Sequence, residues 1–132
     1  MMAQQGLCTA FKVQLLAGNF SLTDTIKLAL YAGADIGPGT AAYSTANEFS
    51  GAGYTAGGVA LVNPVVSQSG AGAVLTFDNA IWNALTGAVT GALIYNASRS
   101  NYAIAVLDFG APRVLANRRL ELVIPDGFIG IL

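Results

Sequence analysis

Histidine is absent from this 132-residue chain, cysteine occurs once, and charged side chains are scarce. Without histidine the commonest general base is missing, and with it the usual nucleophile triads and most zinc sites. A single cysteine excludes an internal disulfide. With no imidazole to activate it, the Cys8 thiol reads as a small buried apolar side chain. Six Lys+Arg and seven Asp+Glu make up 10% of the residues, against about 25% in soluble domains. A net charge of −1 offers no basic footprint for nucleic acid, and Arg118-Arg119 is the one adjacent basic pair. The N-terminus has neither a basic region nor a long apolar run, so no secretion signal is expected, and the sequons at Asn19 and Asn96 carry no meaning for glycosylation.

The few charges form no recognisable site. Asp24, Asp35, Glu48, Asp78, Asp108, Glu121 and Asp126 are scattered, and none lies in a calcium-loop pattern. A glycosidase-like pair among them has no support in their spacing. Gly51-Ala52-Gly53-Tyr54-Thr55-Ala56 matches the dinucleotide fingerprint on paper, but a glycine pair and a Val/Leu run follow where that fingerprint needs a helix. It reads as a loop. We expect no cofactor, no metal and no enzymatic activity. No charge occurs between Asp78 and Arg99, yet Asn79, Asn83, Thr86, Thr90 and Asn96 put too many polar groups there for a membrane helix.

What is present is apolar and small: AVILMFWYC make 54% of the chain, and there are 16 glycines. A domain of this length can fold without staples, but it has too little charge to clothe its exterior. Part of its surface is therefore expected to be covered by other polypeptides, copies of itself first.

Along the chain, residues 1–18 read as an N-terminal helical segment. Thr9 is a candidate N-cap, Ala10, Phe11, Leu15 and Leu16 can share a face, and Gly18 fits the stop. Residues 24–31 alternate, with Ile26, Leu28 and Leu30 inward and Lys27, Ala29 and Tyr31 on a wet face. Residues 33–58 form a long Gly/Ser/Thr/Ala-rich loop, and such loops are often functional. Tyr43, Phe49 and Tyr54 within it are candidate partner contacts.

Residues 59–62 and 65–68 are strand pieces interrupted by Asn63-Pro64, which implies an edge or a bulge. Gly70-Ala71-Gly72 is a turn, and residues 73–77 alternate again. Residues 89–95 and 102–109 are the strongest strands, joined by a polar connection of hairpin length at 96–101. In the second of these, Ile104 and Val106 face one way and Ala103, Ala105, Leu107 and Phe109 the other. Both faces are apolar, which fits a strand covered on both sides, or one with a core face and an interface face. Residues 118–124 read as a separate, half-exposed strand with Leu120, Leu122 and Ile124 inward. Trp82, Tyr95, Tyr102 and Phe109 read as core pairs in preference to a sugar-stacking platform.

Residues 125–132 form an apolar tail, whose Phe128, Ile129, Ile131 and Leu132 are also candidate partner contacts. It either returns as a strand on the same chain or packs on a neighbouring subunit. Turn signals about every ten residues and the lack of strand–helix alternation predict one mainly β domain over 1–132, an antiparallel β-sandwich or jelly-roll-like fold with a short N-terminal helix.

Four segments together resemble a group of small tailed-bacteriophage virion proteins. They are Leu15-Leu16-Ala17-Gly18, residues 24–31, residues 48–58 with their glycines, and the paired segments 92–96 and 103–110. The likeness spans roughly residues 9–125 and does not include the apolar tail. It implies a virion structural protein, located on the particle and made in the host cytoplasm. Compact size and low charge suit a capsid decoration or cement subunit; a tail, collar or fibre component, including a receptor- or glycan-binding module, is the alternative. The implied partners are copies of itself, as trimers, and the major capsid protein or another virion protein. Neither nucleic acid nor a membrane is implied.

Overall fold

The computed structural model describes residues 6–33, 36–124 and 129–131. Strands dominate: β1 (Gly6–Leu7), β2 (Ile26–Tyr31), β3 (Val59–Ala60), β4 (Val65–Ser69), β5 (Gly72–Thr76), β6 (Ala80–Asn96), β7 (Tyr102–Leu122) and β8 (Ile129–Ile131). The one helix among the described residues, α1, spans Thr9–Leu16. Two antiparallel sheets result, a five-stranded one in the order β1-β7-β6-β2-β3 and a three-stranded one in the order β4-β5-β8. Leu75 of β5 and Ile129 of β8 share one buried cluster with Ile26, Leu28, Ile94 and Ile104 of the large sheet. The arrangement is therefore sandwich-like, as the turn spacing predicts.

The ends of α1 follow from local chemistry. Cys8, not Thr9, stands at the N-cap, extended at φ −81° and ψ 141°, and no side chain caps the helix. At the other end Gly18 takes φ +80°. Its N–H donates to Leu15 O (3.2 Å) and that of Asn19 to Gln14 O (2.9 Å), the paired bonds of a Schellman stop. Phe11 is buried, but Leu16 is 90% exposed and does not share its face.

β6 and β7 form one long hairpin, longer than the sequence pattern suggests. The segments 102–109 and 118–124 belong largely to a single strand of 21 residues, and β6 begins at Ala80. Bulges hide this continuity. Val89 opposes Arg113 and Gly91 opposes Asp108, so residues 109–112 of β7 lie across from Thr90 alone. Gly110 in that bulge takes φ +79°.

A second irregularity corrects the expected facing. Ile94 opposes Ala105 and Tyr95 opposes Ala103, leaving Ile104 as the extra residue. Ile104 and Ala105 consequently point into the same cluster, while Val106 points to the opposite face. Beyond the large bulge the alternation is as expected: Ile124 is buried, Leu120 and Leu122 are half-buried, and Arg119, Glu121 and Val123 are exposed.

The face of β2 expected to be wet is dry except at half-buried Lys27. Ala29 and Tyr31 are buried with Cys8, Leu93, Tyr95, Ala103 and Val106, and the long loop supplies Ile36 to the same cluster. The strand is covered on both sides within one chain. This settles the two readings of residues 102–107: all six are buried, and both faces are filled internally.

The tail returns in cis. Ile129 pairs with Leu75 and Ile131 with Ala73. Of the tail residues singled out in the sequence, Phe128 and Leu132 lie outside the described residues.

Candidate functional site

The loop of residues 33–58 is held by tyrosines around one carboxylate. The Tyr43 hydroxyl donates to Glu48 Oε1 (2.6 Å), and the Tyr54 hydroxyl donates to Oε2 (2.5 Å). The Gly57 N–H also donates to Oε2 (2.8 Å). The Tyr54 hydroxyl in turn accepts the Leu30 N–H (3.1 Å), which ties the loop to β2. Tyr43 stacks on Tyr95 at 4.6 Å, and Tyr95 donates to Gly57 O (2.7 Å). Tyr31 donates to Ser44 O (2.6 Å). Burial is the main reason these phenols resist ionisation, and it pushes Tyr31 up to about 12. For Tyr43 and Tyr54 the bond to Glu48 adds to burial in raising the pKa.

Phe49 lies beneath Gly87, edge-on to Tyr54 at 5.5 Å, and is buried. Gly51 and Gly53 let the loop backbone meet β6: a Cβ at either would collide with the carbonyl of Thr86 or Ala84, and Ala52 makes a bridge with Thr86. The fingerprint-like glycines thus serve close backbone approach, and no helix follows them.

These contacts place two of the seven partner-contact candidates inside the chain and two partly inside it. Phe49 and Ile129 are buried within the chain. Tyr43 and Tyr54 are half-buried, with their hydroxyls bound to Glu48. Loop length alone suggests exposure, but the loop acts as the second cover of the sheet. Glu48 reads in the sequence as one scattered carboxylate. Its structural role was legible only through the tyrosines at positions 43 and 54.

A second polar network closes the hairpin turn. Arg99 Nε donates to Asp24 Oδ2 at 2.7 Å, and buried Asn96 donates to the same oxygen (2.9 Å) and to Tyr102 Oη (3.2 Å). The bond from Arg99 is the main cause holding the Asp24 carboxyl below its usual range. Tyr102 donates to Asn19 O (2.8 Å), joining the helix exit to the hairpin. Trp82, Tyr95 and Tyr102 are core residues, as expected, and Phe109 packs half-buried against the core.

Cys8 is buried, with Sγ 3.6 Å from Gly37 O, and burial pushes the thiol up to about 11. Among the described residues no group of three or more His, Cys, Asp or Glu could hold a metal ion. No helix among them is long and apolar enough to cross a membrane.

One groove of about 140 Å³ opens between α1 and the small sheet, lined by Phe11, Leu15 and Phe20 on one side and Val66, Leu75 and Ile129 on the other. It presents apolar surface and almost no polar group to orient a substrate. Large apolar side chains also stay open, Val66 at the groove and the others beyond it. Leu16 on α1 and Val114 on β7 (79%) are the most exposed, and Val65 (53%) and Val66 (52%) stand on β4. Comparison with known proteins gives no match, whether to a family model, a curated protein or a solved structure.

Proposed function

We propose that this chain is a non-enzymatic structural subunit of a tailed-bacteriophage virion, and within that class a capsid decoration subunit that binds the assembled head. One observation carries the reading. A chain with 10% charged residues turns its tyrosines inward and leaves large aliphatic side chains in water on α1, β4 and the far part of β7. Such surface calls for cover by other polypeptides.

The segments behind the phage resemblance also meet in space. β2 pairs with β6 through residues 91–96, and the 48–58 loop bonds to both strands through Tyr54 and Tyr95. Joined in this way they form a common support for contacts at the periphery. A subunit that binds only the assembled lattice stabilises that lattice by mass action, and many weak copies add by avidity.

The test compares particles assembled with and without the chain. Loss of heat or osmotic resistance in its absence, restored by adding the purified protein, is the expected result. Unchanged particles, together with specific binding of the isolated protein on a glycan array, would move the chain to a receptor-binding position on a tail or fibre.

A further inference from the structure

Among the described strands, β7 and β4 each leave an edge open, and the two edges differ in kind. Beyond residue 107, β7 is bonded to β6 alone among the described strands. This edge carries the bulge at Gly110, Pro112 and three exposed arginines, Arg113, Arg118 and Arg119. Bulges, proline and charge are the devices that stop a free edge from accepting another strand. Half of the six cationic residues of the chain stand on this one edge.

β4 is the outer strand of the small sheet, and its five residues contain none of these devices, Pro64 standing just before the first. Its five residues pair with β5 in unbroken register, from Val65 opposite Thr76 to Ser69 opposite Gly72. No charged residue occurs from Phe49 to Phe77. Residues 65–68 are all exposed.

The turn fixes which backbone groups are free. Gly70, at φ +59°, and Ala71 make a two-residue loop, so Ser69 and Gly72 are the hydrogen-bonded pair that closes it. By antiparallel alternation Ser67 and Val65 also bond to β5, and Val66 and Gln68 turn their N–H and C=O outward.

We infer that β4 is the edge through which the chain pairs with a second copy of itself, antiparallel about a two-fold axis at Ser67. The pattern is self-complementary. In that register Val66 of one copy opposes Gln68 of the other, so all the outward groups of both residues find partners. The stretch brings no like charges together, whereas two β7 edges would set arginine against arginine. The two-fold departs from the three-fold symmetry that the sequence resemblance implies. It does not depend on the virion reading.

The test uses the full chain alone. Sedimentation equilibrium is expected to show a monomer–dimer equilibrium. Gln68→Pro removes an outward N–H and no bond to β5. It should leave the far-ultraviolet spectrum and melting temperature of the monomer unchanged while raising the dimer dissociation constant about tenfold or more. Ser67→Cys should oxidise to a covalent dimer, since the two positions face each other at the axis and native Cys8 is buried; Ala111→Cys on the β7 edge should not. A chain that stays monomeric at its highest soluble concentration overturns the proposal. So does a dimer that Gln68→Pro leaves intact and Ser67→Cys does not lock. If Gln68→Pro does not fold, the cysteine pair decides the question alone.

Discussion

Near its turn, the β6–β7 hairpin is buried on both faces across residues 91–96 and 102–107; past the bulge at residues 109–112 the same two strands are covered on one face. The near half is enclosed by α1, β2, the small sheet and the long loop, which fill both sides with apolar side chains. The far half keeps Trp82, Leu85 and Val89 inward but exposes β7 from Gly110 to Val114 and from Ala116 to Arg119. The two strands stay paired through both halves, with bulges in each, so pairing does not separate them. Burial does. The near half is where stability resides, and the far half is surface available to something else.

Substitutions can break that contrast. Ile104→Ala or Leu93→Ala, each fully buried in the near half, should lower unfolding free energy by about 2–5 kcal/mol in urea titrations. Glu48→Ala comes next. It leaves two tyrosine hydroxyls and the Gly57 N–H without their acceptor and should cost about 1–3 kcal/mol. Backbone amides of the 43–58 loop should then exchange faster, and Glu48→Gln should restore part of the loss.

Lowering the pH reaches the turn network. The Asp24 carboxyl is depressed in the folded chain, chiefly by Arg99. Its contribution is therefore fully present above the ordinary carboxylate range near 3.9 and is lost as pH falls through the lower folded value. Asp24→Asn should flatten that part of the stability–pH curve. The smallest effect belongs to the far half: Val114→Ala should change stability by no more than about 0.5 kcal/mol. A thiol reagent supplies a separate check on the sealed half. Cys8, buried with a raised pKa, should react with it only on unfolding.

The sequence carries the fold class through turn spacing and alternation, and it marks residues 102–107 as a strand apolar on both faces. It conceals what depends on backbone irregularity. One extra residue at Ile104 reverses the facing of Val106, and the bulge at residues 109–112 makes one long strand look like two. Periodicity cannot see through a bulge, because the period of two restarts on the other side.

The internal contacts of Tyr43, Phe49 and Tyr54 are hidden for a related reason. A Gly-rich loop with Tyr43, Phe49 and Tyr54 resembles an exposed contact surface unless one knows that Glu48 lies within reach of both tyrosines. The β4 edge is better marked: Asn63-Pro64 announces an edge, and the missing charge from residue 49 to 77 is visible by eye. What the alternation does not reveal is that β4 and β5 leave the large sheet to form a second one with the tail.

Hydrogen exchange resolved by residue on the free chain is the most direct test of this division. We predict that amides of 91–96 and 102–107 exchange only through global unfolding, with the 43–58 loop well protected, while those of 113–119 facing away from β6 exchange orders of magnitude faster. Equal protection along the whole hairpin, or a 43–58 loop that exchanges as freely as the far edge of β7, would contradict it.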